Sequence, residues 1–325
     1  MGSKRYCLGI DTSNYTTSVA IVDEAFNIIG DSRKILEVRP GERGLRQSQA
    51  LFEHIGNLPG VLERLKIGEK KLSIHCVAFS QRPRPAEGSY MPVFKAGEAV
   101  AKSIAETLQV PCYGFSHQEG HVEAARLRSG YSGAGVFLSL HLSGGTTEVI
   151  QCREKEETAG YLTEIVGGTG DLALGQLIDR VGVSLGLQFP CGKQMDEIAC
   201  RTLAPGMEKE NQFCRIKVQT GVMNISGIET QIQRFIEKNR EDPKLCEEIA
   251  PMLFFRVGQA LMDLIVQSRE KTGILPVVVA GGVASSQYIR KMLADVKGVY
   301  FGTEVLSSDN GVGTAVLGMK RDLKR

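Results

Sequence analysis

The sequence predicts an α/β protein built as two related lobes. Short apolar runs of strand length alternate with longer stretches of helical periodicity. Two strand–turn–strand units lie far apart in the chain yet can be laid over each other. Ser13-Asn14-Tyr15-Thr16-Thr17-Ser18-Val19 falls on Ser143-Gly144-Gly145-Thr146-Thr147-Glu148-Val149, the trace of an internal duplication. The 325 residues suffice for two lobes, each with a core of its own. No linker separates independent domains. The lobes are assigned to residues 1–130 and 131–325, with the last helix a candidate to return to the first lobe.

Taken in order, Tyr6 to Asp11 reads as a buried strand, with Thr17 to Val22 its hairpin partner. Arg33 to Arg46 is polar and basic, and a helix follows from Gln47 to about Leu65. Lys70-Lys71 lead into a strand over Leu72 to Phe79. Gln81-Arg82-Pro83-Arg84-Pro85 should not continue it, because proline removes donors and fixes its own φ. Arg82 and Arg84 face either solvent or an anionic ligand. Val93 to Leu108 is helical, and Val110 to Phe115 is a short strand. The second hairpin comprises strands Val136 to Leu142 and Thr146 to Gln151. After Val166-Gly167-Gly168-Thr169-Gly170-Asp171 comes a helix to about Leu185, buried through Leu174, Leu177, Ile178, Val181 and Leu185. Phe189 to Lys193 reads as a turn. The 201–228 segment is irregular apart from a strand around Phe213 to Val218. Two helices follow, near Ile228 to Lys238 and Leu245 to Lys271. Pro276 to Ala280 is a strand, and Gly281 to Ser286 turns into a helix through Leu293. A small-residue helix closes the chain after Gly311.

Composition narrows the function classes. A hydrophobic content of 42% and a charged content of 23% describe an ordinary globular protein. A net charge of +2 advertises neither a nucleic acid nor a membrane. The eight cysteines are scattered with no C-x-x-C pair, as free thiols are in a reducing cytosol. No apolar run approaches a membrane span, and the amino terminus lacks a signal-peptide layout, so a cytoplasmic protein is expected. G-x-x-x-x-G-K-[ST], G-x-S-x-G and zinc-finger spacings are absent.

Chemistry concentrates first at Ser116-His117-Gln118-Glu119-Gly120-His121. If the segment is helical, His117 and His121 share one face a turn apart, with Ser116 as N-cap. That spacing suits a divalent metal needing two imidazoles from one rigid element, or two satisfied histidines with no ligand at all. The glutamate comes one residue too late for an H-E-x-x-H protease. Asp309 is a candidate third ligand or simply a helix cap. The duplicated turns, facing across a cleft, would offer backbone N–H groups to the phosphates of one nucleotide, with Asp11 holding a magnesium ion or a water. A stripe of Asp171, Gly175, Asp179, Gly182 and Gly186 implies close approach, either of another element or of a ligand held by Asp179. The Gly281-Gly282 turn after a buried strand lets a flat adenine or ribose lie on the backbone.

In this order the landmarks resemble the tRNA N6-adenosine threonylcarbamoyltransferase family, formerly called sialoglycoprotease, over essentially the whole chain. The resemblance implies a two-lobed actin/hexokinase/Hsp70-like ATPase fold. It implies a metal, iron or zinc, on His117, His121 and Asp309. It also implies an acyl-adenylate or adenine nucleotide on Leu142, Ser143, Gly144, Gly145, Thr146, Asp179 and Gly192. The implied reaction moves a threonylcarbamoyl group from its adenylate to the exocyclic nitrogen of the adenosine beside the tRNA anticodon, with helper protein subunits. The chain departs from the family at four places. Ser-Cys-Asp-Glu-Thr is replaced by Ser13-Asn14-Tyr15-Thr16-Thr17, and Ser-Gly-Gly-His ends in Thr146. The adenosine-contacting asparagine falls at Ser286, and the Gly-Pro-Gly loop is Arg82-Pro83-Arg84-Pro85. These departures suggest a divergent paralogue. Three other readings stand beside the tRNA reaction: carbamoyl transfer to a different acceptor, a nucleotide-binding scaffold, and a sugar kinase relying on Asp179.

Overall fold

The computed structural model describes residues 4–13, 15–37, 45–65, 72–202, 211–274 and 276–325. The chain divides into two compact units. The first holds Met1–Arg128, Arg153–Leu162 and Ser308–Arg325; the second holds Ser129–Cys152 and Thr163–Ser307.

In the first unit, β1 (Tyr6–Asp11), β2 (Thr16–Asp23), β3 (Ile28–Ile35), β4 (Ile74–Arg82) and β5 (Cys112–Ser116) form one sheet in the order β3-β2-β1-β4-β5. The pairs β1–β2 and β2–β3 are antiparallel, whereas β1–β4 and β4–β5 are parallel. From Cys7 to Asp11, β1 is buried at every residue, as a central strand covered on both faces must be. One face packs Leu8, Ile10, Val77 and Phe79 against α1 (Gln47–Glu63) and α2 (Phe94–Leu108). The last helix of the chain, α9 (Val312–Leu323), lies on β1, β2 and β4 and also on α3 (His117–Arg126).

Two expectations are corrected in this unit. The run from Arg33 belongs in part to β3, an edge strand whose outward residues are free to be polar. Its continuation over 38–44, like Lys70-Lys71 and Asn14, lies outside the described residues. Gln81 and Arg82 do continue β4, where Arg82 pairs with Ser116, and the strand stops at Pro83. Only the proline itself lacks the ladder donor; the residues before it favour extended backbone.

The second unit's sheet runs β12-β11-β6-β7-β8-β10-β9. Its strands are β6 (Val136–Leu142), β7 (Thr147–Glu154), β8 (Tyr161–Thr169), β9 (Val218–Gln219), β10 (Val222–Met223), β11 (Val277–Ala280) and β12 (Val299–Phe301). Five adjacent strands, β8-β7-β6-β11-β12, repeat the strand order of the first sheet, and β11 is again parallel to β6 and β12. The duplication traced from the two turns is therefore one of topology. Helices α4 (Leu174–Ser184), α5 (Gly192–Arg201), α6 (Ser226–Lys238), α7 (Leu245–Thr272) and α8 (Gln287–Leu293) complete the unit.

The predicted face of α4 is buried at Leu174, Leu177, Ile178 and Val181. Three expectations shift. Gly192 and Lys193 open α5 instead of lying in a turn. β8 and β12 form where no strand was expected. Phe213 and Ile216 are buried without a ladder of their own. Around Phe213 side chains take the ladder's place, with Arg256 donating to the carbonyls of Phe213 and Asn211. The reading that no run approaches a membrane span is also corrected. α7 is long and apolar enough to cross one, but 67% of its most apolar window is buried. Its Leu253, Phe254, Val257, Leu261 and Leu264 are core residues, which explains the composition. All eight cysteines are free thiols; Cys7, Cys76, Cys152 and Cys191 are buried and Cys214 is exposed.

Candidate functional site

In the first unit the candidate residues meet at the carboxyl ends of the parallel strands. β5 ends at Ser116, which turns the chain into α3 and caps it. Its hydroxyl accepts from the Glu119 N–H while the Glu119 carboxylate accepts from the Ser116 N–H, a complete capping box. His117 is thus the first residue of the helix and His121 lies one turn on, with ring centroids 4.2 Å apart. α9 brings in the third residue. At Gly313 a Cβ would stand 1.9 Å from the Gly120 carbonyl oxygen, so only glycine lets α9 approach α3 this closely. Just before α9, Asn310 takes over the capping by accepting from the N–H groups of Val312 and Gly313. Asp309 is left to face the histidines.

Its Oδ1 is 3.0 Å from His121 Nε2 and 3.5 Å from His117 Nε2, and one ligand atom from each of the three residues falls within 4.8 Å of the others. A divalent ion about 2.0–2.1 Å from each of two donors at a near-tetrahedral angle spaces them by roughly 3.3 Å. The donor set therefore fits such an ion. Behind it, Asp11 Oδ2 is 3.2 Å from His117 Nδ1 and accepts from the Ser13 hydroxyl at 2.8 Å. A ligating histidine commonly donates its other ring N–H to a carboxylate in this way.

The electrostatics point the same way. Burial alone would lower the His117 pKa, but Asp11 and then Asp309 outweigh it and raise it to about 10. Burial would raise Asp309, yet its bonds to His117 and His121 hold it far below the usual carboxylate range. Asp11, also buried, is lowered mainly by His117 and then by Ser13. Two carboxylates facing two imidazoles form a site that demands positive charge. Asp11 is fully buried, with its Oδ2 turned to the ring of His117.

The nucleotide candidates gather at the corresponding end of the second sheet. The Ser143–Thr146 turn follows β6, and Gly144 and Gly145 stand exposed with open space where a side chain would go. The expectation of unoccupied turn amides is corrected, since the N–H groups of Gly145 and Thr146 both donate to Ser143 Oγ. α4 begins directly beneath. A Cβ on Gly175 would lie 2.6 Å from Gly144 Cα, which accounts for one member of the glycine stripe. Gly182 is the second, set against Cys191. One turn past Gly175, Asp179 accepts from the Cys191 N–H at 2.8 Å and so holds the start of α5 at Gly192. Burial keeps the Asp179 pKa raised despite these backbone donors.

Gly281, at φ +99°, crosses the Leu142 carbonyl, and Gly282 follows it in the turn to α8. Ser286 is different: it is buried, accepts from the Ile289 N–H and donates to Asp196. The structure thus uses Ser286 to cap α8. Asp196 escaped the sequence reading; it accepts from Ser286 and from the N–H groups of Gln287 and Tyr288. An aspartate in mid-helix, 90 residues before the turn it serves, leaves no local signal.

The sequence model of the tRNA N6-adenosine threonylcarbamoyltransferase family matches residues 40–316. The chain belongs to this family. Relatives described as tRNA N6-adenosine threonylcarbamoyltransferases include that of Archaeoglobus fulgidus, 26% identical over 96% of this chain and 90% of its own length. The Thermotoga neapolitana protein is 27% identical over 97% of this chain and 93% of its own length. A probable bifunctional tRNA threonylcarbamoyladenosine biosynthesis protein of Methanothermobacter thermautotrophicus is 27% identical over 89% of this chain but only 50% of its own. Among solved structures, component A of the Acidaminococcus fermentans (R)-2-hydroxyglutaryl-CoA dehydratase superposes with a TM-score of 0.53 at 16% identity, covering 97% of this chain and 98% of that one. Full-length HypF reaches 0.55 at 12% identity over 98% of this chain and 46% of its own. The fold is that of the actin/hexokinase-like ATPases, and as a member of this family the chain is a transferase of tRNA threonylcarbamoyladenosine biosynthesis.

Proposed function

We propose that the protein transfers a threonylcarbamoyl group from its adenylate to N6 of the adenosine next to the tRNA anticodon. The amine forms a bond to the carbamoyl carbon as the bond to the adenylate oxygen breaks, and AMP leaves with the N6 proton passing to solvent. The observation that carries the reading is the convergence of His117, His121 and Asp309 on one point. An iron or zinc ion held there would polarise substrate oxygens as a Lewis acid. Asp11 positions His117 by accepting from Nδ1, and Ser13 steadies Asp11. In the second unit Ser143, Gly144, Gly145, Thr146, Asp179, Gly192, Gly281 and Gly282 bind the adenine nucleotide, which takes the side-chain space left open at Gly144 and Gly145. Ser286 serves that end through the capping of α8.

The net charge of +2 is small for a tRNA-binding surface, so helper protein subunits contribute the rest. The longer bifunctional relative, which carries as much chain again, supports an activity shared with other domains. Such a tRNA enzyme works in the cytoplasm. The departures at Tyr15 and Thr16 favour one second reading, a divergent paralogue that carbamoylates another acceptor.

The test mixes metal-loaded protein with threonylcarbamoyl-adenylate and unmodified tRNA, then weighs the digested nucleosides by mass spectrometry. Modified adenosine that disappears in His117→Ala is the expected result. No product, even with the partner proteins of a relative added, would sink the tRNA assignment.

A further inference from the structure

Helix α3 carries a second pair of side chains at the same spacing as its histidines. Glu119 and Glu123 follow His117 and His121 by two residues each, roughly 200° around the helix. Their side chains are only 3% exposed. Glu119 accepts from the Ser116 N–H at 2.9 Å and the Ser116 hydroxyl at 2.7 Å, and from the Tyr161 N–H and Lys155 Nζ at 3.0 Å each. Glu123 accepts from the Tyr161 hydroxyl and pairs with Lys320 at 2.7 Å. Lys155 and Tyr161 flank the turn between β7 and β8, which lies in the first unit. Gly160 sits in that turn at φ +105°, and a Cβ there would stand 2.6 Å from Glu119 Oε1. The turn therefore closes on the carboxylate with no room to spare.

Burying two carboxylates is costly, and apolar residues of similar size commonly hold a helix at least as firmly. What they do not give is direction. An apolar seam permits a helix to slide or roll by fractions of an ångström, whereas six named bonds to two carboxylates fix its rotation and its first turn. That first turn is where His117 stands. We infer that Glu119 and Glu123, with the Lys155–Tyr161 turn, are positioning residues that lock α3 so that His117 and His121 meet Asp309. The inference rests on the metal reading above.

The experiment titrates full-length protein with Co(II), following its visible absorption and a competing chelator, in wild type, His117→Ala, Glu119→Ala, Glu119→Gln and Lys155→Met. Binding by wild type that is abolished in His117→Ala secures the metal reading whatever the glutamate variants do. Glu119→Ala should then bind about tenfold more weakly with a shifted Co(II) band, and Glu119→Gln should recover part of the loss. Lys155, a third exposed, can be lost without unfolding, and Lys155→Met should weaken binding about threefold. A folded Glu119→Ala with wild-type affinity and band overturns the inference. If Glu119→Ala does not fold, unchanged binding in Lys155→Met does so. Absence of Co(II) binding by wild type overturns the metal reading and this inference together.

Discussion

The two sheets share a strand order, and in each the candidate residues stand at the carboxyl ends of the parallel strands, yet the two ends are built from different materials. In the first unit the candidate donor atoms belong to side chains, two imidazoles and a carboxylate, with Asp11 behind His117. In the second the candidates are largely backbone, exposed at Gly144, Gly145 and Gly282. A point cation needs a few donors held within tenths of an ångström, and so needs buried partners such as Asp11 and Glu119 to fix rotamers and helix position. An extended, flexible ligand needs room, which glycine turns supply by leaving side chains out. On the proposed reading, one topology serves two chemistries according to what stands at its strand ends.

The sharpest way to break this contrast is at the α3–α9 crossing. Gly313→Ala forces a Cβ into the Gly120 carbonyl, and denaturant unfolding should show a loss of about 3 kcal/mol together with loss of metal binding. His121→Ala should keep the fold but weaken Zn(II) affinity by about a hundredfold in a chelator competition, leaving adenine-nucleotide affinity unchanged. The converse variant is Gly175→Ala, which pushes the Ser143-Gly144 backbone. Calorimetry should find nucleotide affinity down about tenfold and metal affinity untouched, and equal losses of both would erase the distinction. Asp196→Ala removes the acceptor of the Gln287 and Tyr288 N–H groups at the start of α8 and should cost about 1–2 kcal/mol in thermal unfolding.

The smallest effect concerns pH. Burial opposes the Glu119 charge, but Ser116, Tyr161 and Lys155 hold its pKa below the ordinary value of 4.5. With the folded pKa depressed, the unfolded chain binds its proton first as pH falls. The stabilisation is present above about pH 4.5 and fades as pH falls through the folded value. The slope of Tm against pH between 3 and 6 should therefore be shallower in Glu119→Gln than in wild type.

Much of this was legible in sequence because it is written locally. The spacing of His117 and His121, the Ser116 cap and the apolar face of α4 need no partner to be recognised, and the duplicated turns foretold a shared topology. What escaped depends on distant residues. β3 and β8 carry too many polar residues for a periodicity test, because one is an edge strand and the other is only partly covered. Asp309 and Asn310 are chemically alike as caps, and only three dimensions assign the cap to Asn310. Ser143 answers the amides of its own turn, and Ser286 answers Asp196, neither of which a motif reveals. The partner of Asp11, His117, lies 106 residues on, so nothing local in the sequence marks their contact.

X-ray absorption on the Zn(II)-loaded protein tests the central claim most directly, since it counts the atoms around the ion. The account predicts a shell of nitrogen and oxygen at about 2.0–2.1 Å, with the outer scattering of two imidazoles, one of which disappears in His121→Ala. Sulfur at about 2.3 Å, or a shell unchanged by that substitution, would contradict it.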